Sequence, residues 1–326
     1  MSGDRRPGVT AVIPNWNGSA MLAELLKKLE EQTHRIDEII VVDNGSEDDS
    51  VPVARGAGAH VIELGGNTGF SHAVNLGIQA AATDWITILN NDVSPEPQWL
   101  ERLLAGAGEY RFATGKLLDA ASHRIDGAFD AICRGACAWR CGHDREDSAV
   151  WNQRRMIYFA PFTAALFRAE LFDQLGLLDE SFESYLEDTD FGFRCAAAGQ
   201  AGIYLPEAVA YHTGSATLGR WHAATVRRIA RNQVLLIAKH YPRGWILRYG
   251  WPVLVAHSLW GLLALQHGAG LAYLRGKLEG LRAFHRARGA APPNFRSIIE
   301  ASEQEIHDIQ RLTGYDSYWR LYFALT

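Results

Sequence analysis

The sequence predicts an α/β protein whose largely parallel central sheet is flanked by helices and followed by a helical C-terminal extension. Two patterns carry that expectation. Over the first 120 residues short apolar runs alternate with helix-period segments, the βαβ rhythm of a parallel sheet. Beyond residue 220 the apolar spacing turns helical.

Val9 to Pro14 reads as a buried strand. Leu22, Leu25, Leu26 and Leu29 then follow the i, i+3, i+4, i+7 stripe of a helix, with Ser19 expected at its N-cap. Further strands are expected at Ile39 to Asp43, His60 to Leu64 and Trp85 to Leu89, and helices at Phe70 to Ala82 and Trp99 to Leu104. In the mixed middle, Phe159 to Phe167 reads as a strand, Ala169 to Leu175 as a helix, and Glu187 to Ala198 as a helix ended by Gly199. The C-terminal helices are expected to break at Pro242, Pro252 and the Pro292–Pro293 pair. These patterns divide the chain into an α/β region over 1–219 and a helical region over 220–326.

A chain of 326 residues, 48% hydrophobic and 21% charged, has the make-up of a globular protein with a substantial core. The polar start lacks the charged-then-apolar pattern of an export signal, and four cysteines suit a reducing compartment, so a cytoplasmic protein is expected. Cys133, Cys137 and Cys141 recur every four residues, but without the paired spacing of structural zinc ligands they read as small core hydrophobes. The net charge of −5 conceals an asymmetry. Thr213 to Ala290 holds 12 Lys or Arg against one acid, Glu279, while the remainder holds 20 against 36 acids. A segment so basic faces something anionic, a membrane surface or nucleic acid. No helix-turn-helix, zinc finger or aromatic RNA-binding signature accompanies it, which argues against nucleic acid.

Open α/β sheets bind ligands beyond the carboxyl ends of their strands. Polar clusters gather at those ends: Asn15 and Asn17, then Asp43 and Asn44, then Asn90, Asn91 and Asp92. A carboxylate such as Asp92 emerging there can hold a hard divalent cation that bridges diphosphate oxygens, although Asn and Asp also populate ordinary turns. Glu187, Asp188 and Asp190 crowd into four residues ahead of a helix. One of them can serve as a general base, or all three can simply complement the helix dipole. His212 follows an apolar run and is a third candidate. The first turn, Asn15-Trp16-Asn17-Gly18, places a bulky indole where a dinucleotide fold needs glycine, which argues against that class of oxidoreductase. No Ser-His-Asp or Cys-His set suggests a covalent nucleophile.

In this order the motifs resemble family 2 glycosyltransferases of the GT-A fold, most closely their bacterial rhamnosyltransferase-like branch. The matching text is Val12-Ile13-Pro14-Asn15-Trp16-Asn17-Gly18, Val41-Val42-Asp43-Asn44-Gly45-Ser46, Gly66-Asn67-Thr68-Gly69-Phe70 with Asn75-Leu76-Gly77-Ile78, Leu89-Asn90-Asn91-Asp92, Leu186-Glu187-Asp188-Thr189-Asp190-Phe191 with Arg194, and His212. The resemblance covers about residues 8 to 240. It implies an inverting, metal-dependent transferase that takes its sugar from a nucleotide-diphosphate donor, dTDP-L-rhamnose first and a UDP-linked sugar second, with a non-catalytic nucleotide-sugar-binding module as the alternative. The resemblance further implies a glycan or lipid-linked hydroxyl as acceptor, in cell-surface polysaccharide synthesis.

By the same resemblance, Pro14, Trp16 and Asn17 line the base-contacting loop and Asp43 meets the pyrimidine. Asn67, Gly69 and Asn75 pass near ribose and diphosphate, and Asn91 contacts the ribose. Asp92 and His212 hold the cation, Mg2+ or Mn2+. Asp188 is the catalytic base, with Glu187 and Asp190 as acceptor or base support. Asn90 departs from the family pattern by standing where an acid is common, and so do Pro161 and Phe162, where a Gly-Ala pair is common.

The basic excess of the C-terminal region attracts anionic headgroups, and Tyr249 to Leu274 carries no Asp, Glu, Lys or Arg. Trp245, Trp251 and Trp260 suit a membrane interface. Pro252, His257, Gln266 and His267 argue against a clean span, so helices lying on the inner face of the cell membrane are expected. An oligomer is compatible with the same apolar surface.

Overall fold

The computed structural model describes residues 8–213 and 221–326. Four strands, β1 (Val9–Asn15), β2 (Glu38–Asp43), β3 (His60–Glu63) and β4 (Trp85–Leu89), pair in parallel in the order β4-β1-β2-β3. Helices α1 (Ser19–Glu30), α2 (Ser50–Gly56) and α3 (Phe70–Ala80) link them. Alternation along β1 decides which helix covers which face. Val9, Ala11 and Ile13 join the core cluster of Leu22, Leu25 and Leu29 from α1, whereas Val12 joins Val74 and Ile78 from α3. Ser19 does not cap α1. Gly18 holds the cap at φ 87°, a left-handed turn that glycine accepts without strain, and the Ser19 N–H donates to Asp48 Oδ2 at 2.8 Å.

Beyond β4 the sheet is mixed. The chain continues through β5 (Val93–Pro95), α4 (Trp99–Ala107), β6 (Phe112–Asp119), β7 (Ile125–Gly127), β8 (Asp130–Ile132), β9 (Ala138–Arg140), β10 (Arg155–Ile157), β11 (Ala164–Arg168), α5 (Ala169–Leu175), α6 (Glu187–Ala197) and β12 (Gly202–His212). β11 lies antiparallel between β4 and β6, and β12 runs parallel to β6. β11 starts at Ala164 rather than Phe159, because Phe162 leaves the ladder to pack edge-on against Phe167 and Phe191. The β12 ladder is irregular between Leu205 and Val209, around Pro206, which has no N–H to donate. Past that bulge, His212 comes opposite Asp119 of β6 and Val93 of β5.

The expected boundary at 219/220 lies outside the described residues. After it come α7 (Ala223–His240), α8 (Trp245–Gln266), α9 (Gly270–Ala283), α10 (Phe295–Thr313) and α11 (Ser317–Leu325). These helices share the core of the sheet. Ile306, Ile309, Trp319 and Tyr322 cluster with Phe129, Trp151 and Tyr204, and the Ile132 N–H donates to Ser302 Oγ at 2.8 Å. Pro252 does not break the chain here, for α8 runs straight through it. Tyr249 and Val253 pack with Tyr241, Phe295 and Ile299, and that burial outweighs the roughly 3 kcal/mol cost of an interior proline. Cys133 and Cys137 lie in the turn joining β8 to β9 and Cys141 follows β9; all three are buried and free of disulfides, and burial raises each thiol pKa.

Candidate active site

Three loops at the carboxyl ends of β1, β2 and β4 are laced into one surface. The Asn91 amide donates to Asn15 Oδ1 at 2.7 Å and to the Asn17 carbonyl at 3.1 Å. Asn15 in turn donates to Asp43 Oδ1 at 3.2 Å, and the Gly45 and Ser46 N–H groups donate to Asp43 Oδ2. With the Ser46 hydroxyl also on Oδ1, the Asp43 carboxylate has its four acceptor positions filled by its own loop and by Asn15 of β1. Pro14 is buried in β1, while Trp16 and Asn17 are half-buried in the turn beyond it. Asn67 is exposed and accepts from the Gly69 N–H at 3.1 Å. Gly69 itself stands at φ 95°, with room for no side chain, since a Cβ there would lie 2.9 Å from the Glu183 carbonyl oxygen.

Asp92 and His212 meet because β5 pairs with the end of β12, and the Thr213 N–H donates to the Asp92 carbonyl at 3.1 Å. His212 Nε2 lies 3.2 Å from Asp92 Oδ1, and His212 Nδ1 donates to Asp126 Oδ2 at 2.9 Å. Burial alone would lower the imidazole pKa, but hydrogen bonds to Asp126 and Asp92 push it up to about 9. The Asp126 carboxyl is held well below its usual range. Its burial is overcome by hydrogen bonds from His143 and His212 and by the Arg140 charge. Octahedral coordination at about 2.1 Å sets neighbouring ligand atoms about 3.0 Å apart, so the separation of Nε2 and Oδ1 fits two adjacent ligands of one divalent cation. Asp126 would then be the outer partner that fixes the imidazole tautomer. Among the described residues no group of three or more His, Cys, Asp or Glu converges to hold a metal.

On the opposite wing, the start of α6 sorts its acids by exposure. Glu187 and Asp190 are buried, and Asp188 is half-buried. Burial, then the neighbouring Asp188, raises the Glu187 carboxyl well above its usual range, and Glu187 Oε2 has no hydrogen-bond partner. Burial also raises Asp188, against the opposing charge of Arg140. The Thr189 N–H and hydroxyl both donate to Asp188 Oδ1, and not to Oδ2. Between the wings stands Arg140, 3.5 Å from Asp126 Oδ2 and 3.8 Å from Asp130 Oδ1, and donating to the Thr163 hydroxyl at 3.1 Å. Burial pushes the Asp130 carboxyl up to about 8 despite that charge.

Two expected site residues turn elsewhere. Asn75 does not reach the diphosphate loops: its amide donates to the Leu178 carbonyl and Glu180, and its Oδ1 accepts from the Leu178 N–H, which pins α3 to the segment before α6. Asp190 is no base support. Fully buried, it takes His240 at 2.8 Å, Lys239 at 2.7 Å and Arg194 at 3.2 Å, and so ties α6 to α7. Burial opposes its ionisation, yet these partners hold the carboxyl below its usual range.

The loop that presents Asp188 is strained. Glu183, Tyr185 and Leu186 all adopt positive φ, at 61°, 72° and 67°. It is held by Asn232 of α7, whose amide donates to the carbonyls of Phe182, Ser184 and Tyr185 at 2.8, 3.0 and 2.7 Å. Asn232→Ala is therefore expected to lower stability by about 2–4 kcal/mol and turnover more than donor affinity. Urea unfolding beside steady-state kinetics checks this, and equal loss of both kinetic constants would make Asn232 a fold residue only. Asp126, Asp130, Arg140 and Asn232 were not singled out in the sequence, where none of them belongs to a motif.

A model of glycosyl transferase family 2 matches residues 10–124, and one of glycosyl transferase family group 2 matches residues 85–274. An N-acetylglucosaminyl-diphospho-decaprenol L-rhamnosyltransferase of Mycobacterium tuberculosis is 26% identical, over 75% of this chain and 87% of the relative. A pre-mycofactocin glycosyltransferase of the same organism is 29% identical over 68% of this chain, and the match spans 46% of that relative. The fold is that of GalNAc-T7, solved with UDP, GalNAc and Mn2+, at a TM-score of 0.65 and 14% identity over 95% of this chain and 59% of that one. The mannosyltransferase PcManGT from Pyrobaculum calidifontis, solved with GDP-Man and Mn2+, superposes at 0.53 with 18% identity, over 98% and 87%. Since the second family match alone spans more than half of the sequence, and the sheet that carries it has the GT-A architecture, the chain belongs to the family 2 glycosyltransferases.

Proposed function

We propose that the protein is an inverting transferase that moves a sugar from a nucleotide-diphosphate donor to a hydroxyl of a glycan or lipid-linked acceptor. dTDP-L-rhamnose is the first donor and a UDP-linked sugar the second. The first choice rests on the rhamnosyltransferase relative of Mycobacterium tuberculosis. One observation carries the chemistry: of the three acids opening α6, Asp188 is the accessible one, and Arg140 links its surroundings to the Asp92–His212–Asp126 chain. An acceptor hydroxyl is a poor nucleophile near neutral pH, so Asp188 takes its proton as the new bond forms. Asp92 and His212 would hold the cation, which when bound supplies positive charge to the departing diphosphate. One displacement with no enzyme-bound sugar inverts the anomeric centre. A lipid-linked acceptor places the work on the inner face of the cell membrane.

Thermal-shift measurement against a panel of nucleotide sugars, with and without Mn2+, tests the donor. The expected result is the largest shift with dTDP-L-rhamnose and Mn2+ together, and the same nucleotide sugar hydrolysed slowly in the absence of acceptor. A panel that gives no shift and no hydrolysis would overturn the reading.

A further inference from the structure

The basic excess of the C-terminal region divides by location. Arg227 pairs with Glu279, Arg228 and Arg231 face Glu183, and Lys239 reaches Asp179 and Asp190. Those charges are neutralised inside the protein. Arg275 and Arg282 of α9 are instead exposed and make no ion pair among the described residues. They border a stripe of leucines on the same helix: Leu271, Leu274, Leu278 and Leu281 are 75%, 57%, 54% and 59% exposed. The spacing i, i+3, i+7, i+10 puts all four on one face. The neighbouring helix α8 exposes Leu247, at 96%, with Leu254, Leu262 and Leu265, and Trp251, whose indole N–H donates to the Leu325 carbonyl. Trp245 and Trp260 turn inward, against Tyr241 and Tyr273. Among the described residues no helix is long and apolar enough to cross a membrane.

An apolar stripe edged by unpaired arginines suits an anionic lipid surface: acyl chains take the leucines and headgroups take the guanidinium groups. A second copy of the chain is the poorer occupant, because a two-fold contact would bring like-charged arginine rows together. We propose that the α8–α9 hairpin docks the enzyme on an anionic membrane through this face. Docking deepens the reading of a lipid-linked acceptor and rests on that reading for its purpose alone. It also gives the layout a direction. The inner face of α9 packs closely on α7, where a Cβ on Gly276 would lie 2.2 Å from the Arg227 carbonyl oxygen. α7 in turn holds the Asp188 loop through Asn232. The base therefore stands behind a helix that rests directly on the docking element.

Co-sedimentation with vesicles of phosphatidylglycerol and phosphatidylcholine, against phosphatidylcholine alone and across a salt series, tests the surface. Wild type and Asp188→Asn are both expected to pellet with the anionic vesicles, less with neutral ones, and less as salt rises. Leu274→Glu with Leu278→Glu should lower the bound fraction about tenfold or more at fixed lipid. Both positions face solvent, and circular dichroism verifies the fold of the variant. Arg275→Glu with Arg282→Glu should remove the preference for anionic lipid. Donor hydrolysis without vesicles is read on the same preparations. Wild type that hydrolyses donor but stays in the supernatant overturns docking alone, and wild type that pellets but cleaves no nucleotide sugar overturns the transferase reading alone. A dimer in sedimentation velocity that the leucine variant abolishes, with no vesicle binding, assigns the face to a second copy.

Discussion

Replacing Asp188 by Asn is expected to lower turnover by about 10²- to 10⁴-fold while donor affinity stays close to that of wild type. The amide keeps the Oδ1 that accepts from Thr189, so the turn into α6 is preserved, but it puts an NH2 where a proton acceptor is needed. The loop is fixed independently by Asn232 and by the Ser71 N–H on the Glu183 carbonyl at 2.9 Å, which limits any collapse of the variant. Nucleotide-diphosphate release and calorimetric donor binding separate the two effects. Wild-type turnover in this variant would strip Asp188 of its role. The role would then pass to Glu187, whose carboxyl has no ion pair among the described residues, and not to Asp190, which Lys239, Arg194 and His240 surround.

Asp92→Ala and His212→Ala are each expected to abolish cation-dependent donor binding. Asp126→Asn should weaken it about 10- to 100-fold, the usual loss when an outer partner of a ligating histidine is removed. The pH dependence distinguishes a ligand from a merely buried histidine. A ligating imidazole must be neutral, yet His212 in the free protein holds its proton up to about 9. Cation affinity should thus rise about tenfold per unit from pH 7 toward 9 and level off above it. The metal-free fold responds in the opposite sense. A folded pKa above the unfolded value of about 6.5 adds stability that is complete below pH 6.5 and is lost as the pH climbs through 9. The thermal shift produced by cation and donor together should therefore widen across that window. A shift independent of pH, in protein that circular dichroism shows folded, would remove His212 from the metal site.

Much of the donor side was legible because its residues sit at strand ends, and strand ends are marked by where apolar runs stop. Asn15, Asp43 and Asn91 were expected to share one surface, and they are hydrogen-bonded to one another. Asp126, Asp130 and Arg140 were not legible. They lie on strands of three residues, too short for any period to show. Helix α2 was missed for the same reason, with seven residues and a proline in its first turn. Asn75 and Asp190 lie within recognisable motifs, but a motif does not say which side of a helix its polar group will face. The aim of Asn75 is set by the Leu178 backbone, and that of Asp190 by His240. Pro252 misled in the other direction, since local propensity reads a break that tertiary packing overrides.

The irregular stretch of β12 between Leu205 and Val209 has a consequence for how this enzyme tolerates change. Leu205 pairs with Gly115 and Val209 with Lys116, so three residues are looped out where the partner strand advances by one. Everything downstream, including the meeting of His212 with Val93 and Asp92, is counted from that loop. Removing or adding a single residue at 206–208 would reverse the facing of every later side chain in the strand and turn His212 away from Asp92. Point substitutions such as Glu207→Ala leave the count untouched. Deletion and insertion scanning should accordingly find this segment intolerant of length change even at half-buried Glu207, where substitution is tolerated, a sensitivity that a substitution scan of that position would overlook.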